Sequence, residues 1–173
     1  MDDIKSTLNR LLQASSPENL ESRGDMRHGF QIGGYNLLLQ AGTYCELTTR
    51  QNICALPDCP NWFSGFINHR GHAVPTYDLD CFFSNSDTKT PLSREFWVLL
   101  LDSHPGTAGF IIHALPSVLS DLSPVETVEA DGLPPPLAPF INSVWRRNEQ
   151  RWYEINHRAL LGHLKAQFQP LKR

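Results

Sequence analysis

The chain has 173 residues, 40% of them hydrophobic, which suits one domain or two closely packed subdomains with a real core. Fifteen Lys and Arg against 18 Asp and Glu give a net charge of -3, without the basic face that nucleic-acid binding normally needs. No stretch approaches the ~18 uninterrupted apolar residues of a membrane span, and Met1-Asp2-Asp3-Ile4 lacks the basic then apolar start of a signal peptide, so a cytoplasmic protein without direct membrane insertion is expected.

In chain order, Ile4, Leu8, Leu11 and Leu12 fall at helical spacing over residues 2–13, with Asp2 and Asp3 suited to the cap and Pro17 excluding continuation. A polar tether over residues 14–28 separates this helix from the body, which is expected to start at Gly29. Phe30 to Ile32 and Tyr35 to Leu39 read as two strands joined by a Gly33-Gly34 turn. Tyr44 to Leu47 and Ile53 to Leu56 are further strand candidates.

The most informative stretch follows, LPDCPNWFSGFINHRGHAVPTYDL from Leu56 to Leu79. Pro57 and Pro60 stiffen its start, Trp62 and Phe63 supply an apolar anchor, and Gly65 permits a close approach. Arg70-Gly71 lies between the apolar runs Phe66-Ile67 and Ala73-Val74. This predicts a β-hairpin with Gly71 at positive φ, Arg70 at the tip, and Pro75 at an edge or strand end. Asp78 is placed to cap the next turn. These strands, about five in the first half of the chain, suggest a small closed barrel.

A polar loop over residues 84–93 leads into a second β-rich unit. Phe96 to Leu101 is a continuous apolar run fit for a buried strand, answered by Ala108 to His113 across a turn at His104-Pro105-Gly106-Thr107. Another strand is expected within Val118 to Val125, and four prolines between Asp131 and Pro139 make a stiff surface crossing. Phe140 to Trp145 and Arg151 to Ile155 complete the unit. Asn156 then caps an amphipathic helix carrying Leu160, Leu161, Leu164 and Phe168 on one face, placed to cover a barrel opening. Residues 169–173 form a short tail.

Catalysis has little foothold. His69 with His72, and His157 with His163, lack the i, i+4 spacing of helical zinc ligands, and read as surface histidines. No nucleophile elbow, phosphate loop or dinucleotide fingerprint occurs. Cys45, Cys54, Cys59 and Cys81 contain no Cys-x-x-Cys pair and are expected as reduced thiols, so no metal, cofactor or enzyme activity is expected. The hairpin instead has what an interface needs. Arg70 offers fixed donors for a carboxylate, Asn68 can lock the turn or meet a partner, and Trp62 is core first and interface second. His69 and Gly71 complete the candidate partner-binding set, with His69 and His72 as rim.

The run Leu56-Pro57, Pro60, Trp62, Gly65, Ile67-Asn68, Arg70-Gly71, Val74-Pro75 and Asp78-Leu79 resembles the signature of the CheW-like chemotaxis coupling domain. The resemblance implies a mainly β fold of two five-stranded SH3-like β-barrel subdomains over residues 29–168, sharing a hydrophobic core, with short N- and C-terminal helices. It also implies a non-catalytic signalling adaptor that joins the cytoplasmic tip of a methyl-accepting chemoreceptor to the regulatory domain of a chemotaxis histidine kinase. Such an adaptor would sit at receptor arrays on the inner face of the membrane. The N-terminal extension and the wording of the central stretch resemble the PilI-like branch that serves type IV pilus and twitching systems. Gly109 to His113 departs from the family pattern by placing histidine where an acid is common. Two other readings are a generic SH3-like peptide-binding module using Trp62, Trp97, Trp145 or Trp152, and a metal-dependent hydrolase built on the histidines.

Overall fold

A computed structural model describes residues 26–49, 52–85, 95–126 and 132–168. The predicted N-terminal helix, most of its tether, most of the polar loop at 84–93 and the C-terminal tail lie outside these residues. The chain is mainly β, with strands β1 (Arg27–Ile32), β2 (Tyr35–Leu39), β3 (Cys45–Thr48), β4 (Phe63–His69) and β5 (His72–Tyr77) in its first part. After helix α1 (Leu79–Ser84) come β6 (Trp97–Leu101), β7 (Ala108–Ile112), β8 (Ser117–Leu119), β9 (Ser123–Val125), β10 (Ile141–Arg147) and β11 (Gln150–Ile155), and then helix α2 (His157–Gln167).

The strands form two sheets, one of six in the order β8-β1-β2-β11-β10-β9 and one of five in the order β3-β6-β7-β5-β4. The sheets are not the two halves of the chain. Strand β2 pairs in parallel with β11, Leu37 opposite Tyr153 and Leu39 opposite Ile155, so the first hairpin belongs with the C-terminal strands. Strands β3 to β7 make the other sheet, in which β5 and β7 are parallel. Local alternation reveals a strand but not its distant partner, which is why a halves reading fails here.

The burial of the strands follows from their period of two. Strand β6 lies between β3 and β7 and is buried on both faces, which explains its uninterrupted WVLLL. Leu99 and Leu101 enter a large cluster with Leu37, Leu39, Tyr77, Phe110, Tyr153 and Ile155, drawn from both sheets. Val98 and Leu100 point the other way, into a second cluster with Ile67, Val74, Phe96 and Ile111. Leu38, Leu119 and Trp152 make a third cluster, confined to the six-stranded sheet. A shared core thus lies between two smaller ones. Each fully buried Leu or Phe within it contributes about 1.5–3 kcal/mol.

Other elements refine the sequence expectations. Strand β1 already begins at Arg27, inside the expected tether, where Arg27 pairs with Glu154 and lies over the Trp145 ring. Ile53 to Leu56 is not a strand; it holds one bridge, in which Cys54 and Phe66 exchange both backbone hydrogen bonds at 2.8 and 3.0 Å. That exchange explains Pro75, which sits inside β5, not at its end. Phe66 spends its backbone groups on Cys54, so the opposing Pro75 is at a non-hydrogen-bonded position, and pairing with β7 starts only at Thr76. The segment 118–125 yields two short strands at opposite edges of the six-stranded sheet.

Asp78 caps α1, its side chain accepting from the Cys81 N–H at 3.1 Å, so what reads as a turn is a short helix. Burial pushes the Asp78 carboxyl up, partly opposed by that hydrogen bond. Asn156 caps α2 through the Ala159 N–H at 3.0 Å, and Leu160, Leu161 and Leu164 join the shared core. Among the described residues, no helix is long and apolar enough to cross a membrane.

Candidate partner-binding hairpin

Strands β4 and β5 meet at a two-residue turn closed by His69 opposite His72. Arg70 has φ 52° and Gly71 φ 84°, so both turn residues are left-handed, as the twist-matched hairpin turn requires. Glycine adopts this freely; arginine does so at a cost of about 1 kcal/mol or more. The Asn68 Oδ1 accepts from the Gly71 N–H at 2.9 Å and ties the turn together. Further down β4, Gly65 has φ 130°, and a Cβ there would lie 2.3 Å from the Cys54 carbonyl oxygen, so the crossing of 54 over β4 requires glycine.

Four of the five candidate residues, Asn68, His69, Arg70 and Gly71, therefore come together at one hairpin end. Trp62 does not. It precedes β4, roughly 25 Å away along the strand, stacked on Tyr77 at 6.2 Å and edge-on to Phe82 and Phe168. There it walls a separate groove of about 710 Å³ with Phe82, Phe140 and Pro139. Its role as a core anchor agrees with these contacts.

The Arg70 side chain is 69% exposed and donates from Nη2 to the Glu46 Oε1 at 2.9 Å. Glu46, on β3, is also 3.5 Å from the His69 Nε2 and accepts from the Tyr44 hydroxyl at 3.3 Å. Beside this pair opens a cavity of about 280 Å³ with Val74 and Leu100 in its lining. The same lining holds His72, His104 and Asp102, and the rings of His72 and His104 stack at 3.8 Å with 21° between their planes.

Asp102 ties this cavity to the rest of the fold. It follows β6 at φ 60° and accepts from the His157 Nε2 at 2.9 Å and from Arg158 at 2.8 and 3.1 Å. The Arg158 hydrogen bonds hold the Asp102 carboxyl below the usual carboxylate range, with burial opposing and His157 assisting, and Arg158 is raised in turn. His157 is only 1% exposed, so it is not the surface histidine its sequence context suggests; its Asp102 partner is 55 residues away. Glu46, Asp102 and His104 carry no local signal that ties them to Arg70, since strand pairing and turn packing alone bring them there.

Among the described residues, no three His, Cys, Asp or Glu side chains are grouped to hold a metal ion, and the four cysteines are free. The arrangement is an exposed guanidinium and imidazole surface on a rigid hairpin, suited to recognition.

A comparison with curated protein sequences finds no match. Among solved structures, the chain is similar to the scaffolding protein TtCheW from Thermoanaerobacter tengcongensis, with TM-score 0.59 and 19% identity over 77% of this chain and 89% of that one. That likeness concerns the fold. The CheW-like domain family model matches residues 29–165, and the chain belongs to the CheW-like domain family.

Proposed function

We propose that this protein is a non-catalytic chemotaxis-type adaptor that couples a chemoreceptor's cytoplasmic tip to the regulatory domain of a histidine kinase, working in the cytoplasm at receptor arrays on the inner membrane face. The observation that carries the reading is a CheW-like domain whose Asn68–Gly71 hairpin presents Arg70 in an exposed, backbone-locked turn. A guanidinium held this way recognises carboxylates and carbonyl oxygens without first having to order the backbone. Asn68 acts by fixing the turn, Gly71 by allowing it, and His69 by aligning Glu46. State is transmitted as a change in docking, not as a reaction. A type IV pilus or twitching pathway fits the sequence resemblance of the central stretch.

Among the described residues, the generic peptide-binding alternative finds no exposed tryptophan strip to support it. Trp62, Trp97 and Trp145 are half-buried and Trp152 is buried. The adaptor reading is tested by calorimetric titration of the purified protein with the regulatory domain of its cognate kinase and with a receptor-tip fragment. Arg70→Glu is expected to weaken binding of one partner at least tenfold. Unchanged affinity for both partners would overturn the assignment of the hairpin.

A further inference from the structure

The charges around the 280 Å³ cavity beside Arg70 balance, except at one place. Glu46 is matched by Arg70, with the Tyr44 hydroxyl and His69 Nε2 also on its oxygens. Asp102 is matched by Arg158 and His157. Glu46 thus accepts two hydrogen bonds and Asp102 three, each with a guanidinium among its donors. His72 and His104 are different. They stack face to face at 3.8 Å, both exposed, and neither ring nitrogen makes a hydrogen bond or ion pair with a described residue. A carboxylate laid against an imidazole favours its protonated form.

Val74 and Leu100, both buried, form the apolar floor of the cavity beneath whatever enters it. The Arg70 guanidinium is mostly exposed and spends only Nη2 on Glu46, leaving donors for a second acceptor.

We propose that this cavity receives one glutamate or aspartate side chain of the docked protein partner, held between Arg70 and the stacked His72–His104 pair, with a proton taken up from solvent as it binds. The inference rests on the adaptor reading and adds the chemistry of the contact. The titratable and charged groups lining the cavity are the ones already named: Tyr44, Glu46, His69 and Asp102 besides the binding triad. Since Glu46 and Asp102 already have guanidinium partners within the protein, the added proton is assigned to the histidine pair. The complex binds more protons than the free protein, so affinity rises as pH falls through the histidine range.

The test is titration calorimetry of the full chain with whichever partner Arg70→Glu releases, run in buffers of different ionisation enthalpy to count protons. Wild type is expected to bind about tenfold tighter near pH 6 than near pH 8, with an uptake of about half a proton averaged over that interval. The double variant His72→Gln/His104→Gln, at two exposed positions, should take up none and lose the pH slope. His104→Lys supplies a permanent cation and should bind tightly at both pH values. Absence of proton uptake in wild type, or unchanged uptake in the double variant, overturns the inference while loss of binding in Arg70→Glu still upholds the adaptor reading. Wild-type affinity in Arg70→Glu would instead overturn both.

Discussion

Asp102→Asn is the most discriminating perturbation of the clamp between β6 and α2. Aspartate and asparagine both tolerate the left-handed backbone, so φ 60° at this position adds no strain and the substitution isolates the charge. The side chain is 17% exposed, and the buried His157 Nε2 donates to it at 2.9 Å. Replacing a charged acceptor by a neutral one takes that bond from the 1.5–3 kcal/mol class to the 0.5–1.5 class, and the amide also turns one acceptor oxygen into a donor. The Arg158 half of the contact lies in solvent and is screened. The expected loss is about 1–2 kcal/mol near neutral pH, or a Tm roughly 2–8 °C lower for a chain of this size.

The pH dependence has a definite sign. The folded Asp102 carboxyl titrates below its unfolded counterpart, so its contribution is complete above the unfolded value of about 4 and is lost as pH falls through the lower folded value. Wild type and variant should therefore differ at neutral pH and converge in acid. Thermal and urea unfolding at about pH 7 and about pH 2.5 checks this. Equal stability at neutral pH, or an undiminished gap in acid, would refute the clamp.

Two further substitutions probe the frame that holds the hairpin. Gly65→Ala puts a Cβ 2.3 Å from the Cys54 carbonyl oxygen at φ 130°, so urea titration should show a loss of about 3 kcal/mol or more, since backbone must move on both sides of the contact. Leu99→Ala empties a position 2% exposed in the core common to both sheets and should cost about 2–5 kcal/mol. Because that core is shared, tryptophan fluorescence and far-UV circular dichroism should still report one coincident transition; two separate transitions would show that the sheets unfold independently.

What the sequence made legible follows from how local each signal is. The apolar run of β6, the capped stripe of α2 and the Arg70-Gly71 reversal are each written within a few residues of themselves, and all three form where expected. Sheet membership is not local. Nothing in Tyr35 to Leu39 announces β11 as its parallel neighbour, and that pairing is what distributes the strands unequally between sheets. The site divides in the same way. Asn68 to Gly71 are contiguous and readable, whereas Glu46 reaches Arg70 from 24 residues away and Asp102 reaches His157 from 55. His157 looks like an ordinary helix-surface residue because only the distant carboxylate makes its burial tenable.

The conformation of Arg70 joins these two kinds of information. A left-handed turn position beside glycine is best filled by asparagine, aspartate or glycine, and Gly71 with the Asn68 side chain already provides the turn's chemistry. Arginine therefore occupies the position at a cost to stability. Its ion pair with Glu46 is largely in water and contributes under about 1 kcal/mol, too little to make arginine the stabilising choice. A residue that strains its own turn and gains little within the chain is what the proposed partner contact predicts. The backbone lock at Asn68 then has a second consequence. It presets the backbone from which the guanidinium projects, so that in the proposed contact a partner's carboxylate would meet donors already on an ordered turn.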